Sequence, residues 1–362
     1  LIFAVIYVLL STSLLTGFLI KNPKSLHRML KITGNYFLGI FLYTLVIILL
    51  ADFGRILLKY VFHASWIHSR TAFTVAGAIC ALLILLLSAC GIFHAKYIKT
   101  TSYDVIINKT IPERTSMKVV LLADTHFGYN AGVLHARELV RKINKQKPDL
   151  VCIAGDIFDN EYDAIRNPEK LEKTLRGIKS TYGVYACWGN HDLNEEILAG
   201  FTFKHKDGDL SNIKDPRMKK FLEDSNIHIL EDESVLINDQ FYVIGRKDAS
   251  LTEKIHETRK APAQLTEKLD RDKPIIMIDH QPKELQELAD AGVDLDLCGH
   301  THNGQTFPGN FTIKLMWENP CGLLSKDNMT NITTSGAGVW GPAMRIGTDS
   351  EICSINIQLK KA

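Results

Sequence analysis

The chain lacks the cysteine pattern of a disulfide-stabilised or zinc-ribbon protein. Its seven cysteines, in 362 residues, include no C-x-x-C pair. An odd number of cysteines also cannot all pair within one chain. Cys152, Cys187 and Cys298 fall in apolar runs that we predict to be buried strands. We therefore expect free buried thiols, which suit a reducing compartment.

Negative charge is almost missing from the first 100 residues, which contain nine Lys or Arg and a single acid, Asp52. The remaining residues carry 33 basic and 39 acidic side chains. A net negative soluble part disfavours nucleic-acid binding, which needs a basic surface. We therefore expect no nucleic-acid partner, and nothing in the sequence indicates an obligate protein partner.

Charge of either sign is absent from three long apolar stretches, at 1–20, 32–51 and 71–95. Each has about the 20 residues that a helix needs to cross a bilayer. Buried core helices, or a signal peptide for the first stretch, are the alternative. Because three such stretches follow one another with basic loops between them, we predict an integral membrane protein. The expected organisation is an all-α transmembrane region over 1–97, a polar linker over 98–116 and a soluble domain over 117–362.

The basic residues beside the apolar stretches predict an orientation. Four lie between the first two stretches and two follow the third, whereas three lie in the remaining loop. Because Lys and Arg are enriched on the cytoplasmic side, we expect the soluble domain at the cytoplasmic face. The sequence begins with Leu1 and not with Met, so we also expect a segment upstream of it.

Polar side chains follow five apolar runs of the soluble domain. Runs alternate with helical segments, which is typical of a parallel α/β sheet, and the ends of such strands meet at one edge. Carboxylate, amide and imidazole groups together are ligands for divalent first-row metals. The residues concerned are Asp124 and His126, Asp156, Asn190 with His191 and Asp192, His280, and His300 with His302.

These motifs, D-x-H, G-D-x-x-D, G-N-H-D, a lone His and G-H-x-H in that order, resemble those of the calcineurin-like metallophosphoesterases. The resemblance extends from Met117 to the C-terminus. It is strongest to the bacterial membrane-associated branch, which has transmembrane helices before the catalytic domain. The resemblance implies a four-layer α/β/β/α sandwich and a hydrolase of phosphoester bonds. It also implies two divalent metal ions, with Mn²⁺ expected and Fe, Zn, Mg or Co as alternatives.

The resemblance further implies a role for each motif residue. His191 is expected to donate a proton to the leaving group, and Asp192 to orient His191, with a helix cap as the alternative for Asp192. Asp159 is expected to be a cap or a supporting group. One metal ion would bind Asp124, His126, Asp156 and His302, and the other Asp156, Asn190, His280 and His300.

Two arginines are candidates for binding a substrate phosphate, because a guanidinium can contact two phosphate oxygens at once. Arg246 follows a predicted strand, and Arg345 follows a loop rich in Gly, Trp and Pro. A structural salt bridge is the alternative for each.

The motifs do not distinguish a monoester from a diester or a pyrophosphate. A membrane region favours a lipid-linked or cell-envelope substrate, and a soluble nucleotide phosphodiester is the alternative. A non-catalytic scaffold would be expected to lose metal ligands, whereas this chain has the whole set. A transporter with a regulatory phosphoesterase is disfavoured because the apolar stretches carry almost no charge.

Two further predictions concern the rest of the soluble domain. The charged stretch at 194–216 is expected to be a loop that overhangs the site, with a solvated surface insertion as the alternative. The late segments 312–316, 331–334 and 352–357 alternate in polarity, which predicts antiparallel strands of a second sheet.

Overall fold

The computed structural model describes residues 2–198, 201–202 and 213–360. The charged core of the predicted overhanging loop, 204–210, lies outside these residues. The chain divides into two compact units. One contains the residues up to Ala95 with the short pieces 198–201 and Gly341–Ile346, and the other contains the remaining chain.

Three long helices form the first unit. They are α1 (Ile2–Leu19), α2 (Lys24–Tyr60) and α3 (Arg70–His94), with a 3₁₀ helix at Ser65–His68. By length and composition α2 and α3 are able to cross a membrane, whereas the apolar run of α1 is shorter. Helices α2 and α3 correspond to the second and third predicted spans.

Glycines and caps explain how these helices form and pack. A Cβ on Gly34 would meet the side chain of Leu14, so α1 and α2 approach closely there. The hydroxyl of Ser69 accepts a hydrogen bond from the backbone N–H of Ala72 at 3.1 Å, which caps the start of α3. The segment Gly341–Ile346 belongs to this unit through backbone hydrogen bonds to both α2 and α3.

The second unit alternates strands and helices. Its helices are α4 (Val133–Gln146), α5 (Pro168–Leu175), α6 (Pro216–Asp224), α7 (Ala249–Lys254), α8 (Pro262–Thr266), α9 (Leu285–Asp290) and α10 (Gly309–Met316), with 3₁₀ turns at Tyr162–Ala164 and His302–Gly304. Its strands are β1 (Ile98–Ile107), β2 (Ser116–Leu122), β3 (Leu150–Ala154), β4 (Val184–Cys187), β5 (Ile197–Leu198), β6 (Phe201–Thr202), β7 (His228–Ile229), β8 (Glu233–Ile237), β9 (Phe241–Gly245), β10 (Ile275–Ile278), β11 (Leu295–Cys298), β12 (Gly322–Lys326), β13 (Met329–Thr333) and β14 (Ser350–Leu359).

Two six-stranded sheets make up the middle of this unit. Their orders are β1-β14-β2-β3-β4-β7 and β12-β13-β11-β10-β9-β8. Inward-facing side chains of both sheets, such as Leu121, Cys152, Ile276 and Leu297, form one apolar core between them. Helices cover the outer faces, with α4, α5 and α6 on the first sheet and α8 and α9 on the second. The predicted four-layer α/β/β/α arrangement is therefore confirmed.

The cysteines and the predicted linker are compared with the structure next. All seven cysteines are free, as predicted. The linker predicted over 98–116 is wrong in its first half, because Ile98–Ile107 is a strand that pairs along its whole length with Ser350–Leu359. That partner lies about 250 residues away, so local sequence did not reveal it.

Two of the three late strands were assigned wrongly. Residues 312–316 are the second half of a helix, with Phe311 and Leu315 at the four-residue spacing of one helix face. Residues 352–357 do form a strand, but it belongs to the first sheet, where β14 lies between β1 and β2. The segment at 331–334 is part of β13 in the second sheet, as predicted, although β13 is antiparallel only to β12 and parallel to β11.

Candidate metal centre

The candidate site forms where strands of both sheets end. In the first sheet β2, β3 and β4 are parallel and end level with one another, because Leu122 pairs with Ile153 and Ala154 with Cys187. In the second sheet β10 and β11 are also parallel. The loops after these five strands carry every residue predicted to bind metal. The carboxyl edge of an α/β sheet is the usual position for a ligand site.

Five of the candidate ligands have left-handed backbone conformations. Their φ angles are 54° at Asp124, 44° at His126, 50° at Asp156, 72° at His300 and 49° at His302. Non-glycine residues seldom adopt positive φ, and such conformations cluster at functional sites. The backbone therefore turns sharply after β2, β3 and β11, at the positions that carry these ligand groups.

The first donor group contains Asp124, His126 and His302, all of them buried. Nε2 of His126 lies 3.1 Å from Nε2 of His302. Nε2 of His302 also lies 3.8 Å from a carboxylate oxygen of Asp124. Three ligand atoms thus converge on one small volume.

The second donor group contains Asp156, His280 and His300. Nε2 of His280 lies 3.1 Å from Nδ1 of His300 and 3.2 Å from Oδ2 of Asp156. Asn190 joins them, with its amide oxygen 3.1 Å from the same His280 nitrogen. Nδ1 of His280 is 2.8 Å from the carbonyl oxygen of Ala154, to which it donates, so Nε2 is the nitrogen that faces the group.

Asp156 faces both groups at once. Its Oδ2 is 3.2 Å from Nε2 of His280 in the second group and 3.9 Å from Nε2 of His126 in the first. Its Oδ1 accepts the backbone N–H of His191 at 2.7 Å, which fixes the carboxylate. A carboxylate in this position is able to bridge two cations.

The donor set fits divalent metal ions. Metal–nitrogen bonds of about 2.0–2.1 Å at tetrahedral or octahedral angles separate neighbouring ligand atoms by roughly 2.8–3.4 Å. The donor pairs His126–His302 and His280–His300, both at 3.1 Å, match that spacing. Facing imidazole lone pairs repel one another without a shared proton or cation. The imidazole, amide and carboxylate composition suits Mn, Fe, Co or Zn more than calcium.

Burial lowers the pKa of two of the imidazoles. The pKa of His300 is lowered to about 3, chiefly by burial and also by the charge of His280. The pKa of His191 is likewise lowered by burial, to about 4, against the opposing effect of Asp156. These two rings are therefore neutral at neutral pH, and the neutral form is the one in which an imidazole binds metal.

The carboxylates show the opposing effects of burial and charge. Burial raises the pKa of Asp124 to about 6, although the nearby His280 lowers it. For Asp156 burial also opposes ionisation, but the surrounding histidines, led by His280, outweigh it and hold the pKa well below its ordinary value. Asp156 is therefore the anionic centre of the site.

His191 is oriented by a residue that sequence reasoning missed. Its Nδ1 donates a hydrogen bond to the amide oxygen of Asn160. The amide nitrogen of Asn160 points toward Glu195 at 3.4 Å, and Lys254 binds that same carboxylate at 2.7 Å. The only sequence signal for Asn160 was its position directly after Asp159 in the G-D-x-x-D motif.

The prediction that Asp192 orients His191 is therefore wrong. The two oxygens of Asp192 accept the backbone N–H groups of Phe158 and Gly189, each at 2.8 Å. Asp192 braces the turn that carries Asn190 and His191. Asp159 has a carboxylate oxygen 3.6 Å from Nδ1 of His126, and with His126 and His191 it forms a third group of possible ligand atoms.

Neither candidate arginine is exposed for contact with a substrate. Arg246 is buried and lies 3.1 Å from Asp279 in an ion pair that also includes Glu284. Arg345 is fully buried and belongs to the helical unit, where its backbone N–H donates to Gly91 at 3.0 Å. The structure thus favours the structural salt bridge for Arg246, and it shows Arg345 as a buried side chain.

A family model for the calcineurin-like phosphoesterases matches residues 117–304 of the chain. The matched residues include every candidate metal ligand. The chain belongs to the calcineurin-like phosphoesterase family. The family assignment made from the strand-end motifs is therefore confirmed.

Relatives of known sequence include other members of this family. An uncharacterized metallophosphoesterase of Campylobacter jejuni is 32% identical over 257 residues, which are 68% of this chain and 61% of the relative. A transmembrane protein with a metallophosphoesterase domain from Bos taurus is 27% identical, covering 78% of this chain and 62% of the relative. The chain thus spans about three fifths of both relatives. The UDP-2,3-diacylglucosamine pyrophosphatase LpxG of Chlamydia trachomatis is 22% identical, covering 68% of this chain and 86% of that protein.

Solved structures with similar folds are more distant. A 5′-nucleotidase precursor from Thermus thermophilus has a TM-score of 0.40 and 14% identity, covering 67% of this chain and 54% of that chain. A purple acid phosphatase from yellow lupin has a TM-score of 0.39 and 14% identity, covering 70% of this chain and 55% of the other.

Proposed function

We propose that the chain is a membrane-anchored hydrolase that cleaves a phosphoester or pyrophosphate bond with two divalent metal ions. The observation that carries this proposal is the position of Asp156. One of its oxygens lies within 4 Å of imidazole nitrogens from both donor groups. A carboxylate shared by two neighbouring cation sites supports a dinuclear centre, and such centres serve in-line displacement at phosphorus.

The proposed ligand sets follow the two donor groups. When bound, the two ions lower the pKa of a water molecule and stabilise charge on the phosphoryl oxygens. Mn²⁺ is the expected ion, with Fe, Zn, Mg and Co as alternatives. One ion would be held by Asp124, His126, Asp156 and His302, and the other by Asp156, Asn190, His280 and His300.

The charge of the ligand set supports binding of an anionic substrate. Asp124 and Asp156 supply two negative charges, whereas two divalent ions supply four positive ones. Because Asn190 is an amide, the centre keeps a positive charge that an additional carboxylate would reduce. A phosphate group is attracted to such a centre, and the charge that develops during bond cleavage is stabilised there.

His191 is proposed to donate a proton to the leaving-group oxygen. Asn160 accepts from Nδ1, so Nε2 is the ring nitrogen left for proton exchange. Burial lowers the pKa of His191 to about 4, so the free ring is neutral at neutral pH. The negative charge of a bound phosphoryl group beside the ring favours its protonated form. A positioned acid of this kind contributes roughly 10²–10⁴-fold to a rate.

A lipid-linked or cell-envelope pyrophosphate is the proposed substrate class. The relative LpxG, by its name, cleaves a pyrophosphate in an acylated sugar nucleotide. Helices α2 and α3 are long and apolar enough to cross a membrane, which would hold the soluble unit near lipid substrates. The distribution of basic residues favours the cytoplasmic face. A soluble nucleotide phosphodiester is the alternative substrate.

The test of the dinuclear centre is a comparison of metal content and activity. The purified full chain in detergent is expected to bind two equivalents of Mn²⁺ and to hydrolyse bis(p-nitrophenyl) phosphate. Asp156→Asn should lose both the metal and the hydrolysis, because the bridging charge is gone. Asp163→Asn is the matched control, since Asp163 is exposed and contacts Arg217. Full activity of Asp156→Asn would contradict the proposal.

The substrate class is tested separately. Mn²⁺-loaded protein is incubated with UDP-2,3-diacylglucosamine, with a bacterial lipid extract and with a cyclic nucleotide. Phosphorus NMR should detect products from a lipid sample, whereas turnover of the cyclic nucleotide alone would favour the alternative. Protease protection in intact cells then determines the side of the membrane.

A further inference from the structure

Helix α10 has an exposed apolar surface that the proposed reaction does not explain. Among the described residues from 96 onward, nine large hydrophobic side chains are exposed, and four of them lie between Phe307 and Met316. Leu315 is 89% exposed, Met316 73% and Phe311 60%. None of the eight residues of α10 is buried in the described structure. We call Phe307, Phe311, Leu315 and Met316 the α10 patch.

The chain brings the α10 patch next to the candidate metal centre at both ends of the helix. The preceding 3₁₀ turn contains His302, and α10 begins seven residues later at Gly309. Trp317 follows directly after α10, and its ring packs edge-on against the ring of His300, with centroids 5.1 Å apart. A molecule that covers the patch therefore lies beside the imidazoles of the centre.

The charge of this segment favours a binding partner that has an anionic surface and an apolar interior. No Asp or Glu occurs between Gln305 and Trp317, and Lys314 is exposed on α10. Lys283 places its ammonium group 5.5 Å from the ring centre of Trp317. Aromatic and aliphatic side chains beside lysines are the composition of helices that lie in a membrane interface.

The size of the patch argues against a second copy of the chain. A stable protein interface needs roughly 800 Å² from each partner. Four side chains, of which Phe307 is only partly exposed, offer less than that. The same polypeptide also carries two helices of membrane-crossing length, and three residues separate the end of α3 at His94 from the start of β1 at Ile98.

We infer that α10 is an interfacial anchor whose patch enters the acyl region of a phospholipid bilayer. This inference rests on the proposed function, to which it adds a physical route for lipid substrates. An interfacial helix buries its apolar face about 5–10 Å into the boundary between headgroups and acyl chains. The phosphate or pyrophosphate of a membrane lipid would then lie at the level of Trp317 and His300.

Quenching of tryptophan by brominated lipids tests the position of α10. The full chain is reconstituted into vesicles of phosphatidylcholine and phosphatidylglycerol, with or without bromine at the middle of the acyl chains. Leu315→Trp introduces a probe in the patch. Leu134→Trp is the matched control, because Leu134 is a similarly exposed leucine (79%) on α4. The wild-type signal corrects for the four native tryptophans.

The expected result is a loss of the added Leu315→Trp emission in brominated vesicles and no comparable loss for Leu134→Trp. Phe311→Trp, as a second probe, should behave like Leu315→Trp. Equal quenching at 315 and 134, or no quenching at 315, would overturn the inference. A blue-shifted but unquenched probe at 315 would also overturn it, since protein and not lipid would then cover the patch.

A failure of the inferred membrane anchor can be distinguished from a failure of the proposed function. Hydrolysis of bis(p-nitrophenyl) phosphate by the wild-type chain is measured in the same vesicles. Quenching without hydrolysis would refute the enzyme proposal and leave the anchor in place. Hydrolysis without quenching would refute the anchor alone.

Discussion

The amide oxygen of Asn160 accepts a hydrogen bond from Nδ1 of His191. This contact sets the orientation and the tautomer of the His191 ring, which lies beside the two donor groups. The backbone N–H of Asn160 in turn donates to the carbonyl oxygen of His191 at 3.1 Å. Glu195, held by Lys254, fixes which end of the Asn160 amide faces the ring. These contacts join the loops after β3 and β4 at His191, the residue that we propose to donate a proton.

Replacing Asn160 by Ala should slow hydrolysis without removing metal. The ring of His191 would lose its fixed tautomer, so kcat should fall by up to roughly 100-fold, which is within the contribution of a positioned acid. Asn160→Asp, which keeps an acceptor oxygen, should restore part of the rate. The measurement is kcat and KM with metal content by mass spectrometry.

The control for this experiment is Asn356→Ala. Asn356 also makes a side-chain hydrogen bond, to Asp104 at 3.0 Å, but on the pair of strands β1 and β14. Its kinetics should match the wild type. Loss of metal from Asn160→Ala would contradict a role restricted to His191.

Replacing Gly189 by Ala should empty the metal centre. A methyl group on Gly189 would overlap the carboxylate and the backbone nitrogen of Asp156, which faces both donor groups. The carboxylate must then move, so metal content and hydrolysis should both fall. Gly132→Ala is the matched control, because an added Cβ there meets no atom within 4 Å. Normal metal content in Gly189→Ala would show that Asp156 is not held as described.

Replacing Arg246 by Ala should destabilise the soluble unit. Arg246 and Asp279 form a buried ion pair at 3.1 Å, and removal of one partner leaves the other charge buried. The expected loss is about 3 kcal/mol, the lower end of the usual range for such a change. The lower end applies because Arg259 still contacts Asp279 at 3.0 Å. Thermal melting in detergent measures the loss.

The exposed arginine Arg141, which pairs with Glu138, supplies the control, and Arg141→Ala should leave melting unchanged. A substrate-binding role for Arg246 predicts a different result. In that case KM would rise in Arg246→Ala while the melting temperature stayed constant.

Asp296 should make stability depend on pH. Burial raises the pKa of Asp296 to about 7 from an ordinary 3.8, and the charge of Asp279 adds to the effect. The unfolded chain therefore loses this proton at lower pH than the folded chain does. Stability should fall between pH 3.8 and about 7 and then level off, because the folded state binds more protons across that window.

Asp296→Asn removes this titration. The variant should melt at a higher temperature than the wild type near pH 7, and the difference should shrink as the pH falls toward 4. The amide keeps the shape of the side chain, which accepts from Asn331 at 2.7 Å. Melting temperatures of both proteins across this range provide the measurement. Parallel curves would show that Asp296 is ionised throughout in the folded state.

Motif spacing predicted the composition of the candidate site well. Asp124, His126, Asp156, Asn190, His280, His300 and His302 all follow strand ends, and the structure brings their ligand atoms together. The prediction worked because parallel strands of alternating α/β segments end at a common edge, whatever the details of packing.

Supporting residues were predicted poorly. Asp192 is next to His191 in sequence, yet its oxygens face Phe158 and Gly189. The partner of His191 is Asn160, 31 residues earlier. Adjacent residues in a sharp turn point in different directions, so sequence proximity does not identify hydrogen-bond partners there. The same limit concealed the pairing of β1 with β14, where the partner lies in the last strand.

The amino-acid sequence by itself determined the strand-end ligands, the family and the apolar helices, because each is a local pattern of residue types. Only the tertiary structure decided that Asn160 holds His191 and that Arg246 pairs with Asp279. It also decided that α10 exposes Leu315 beside the site. Each of these depends on the direction of a side chain after distant segments pack, and local sequence does not encode that direction.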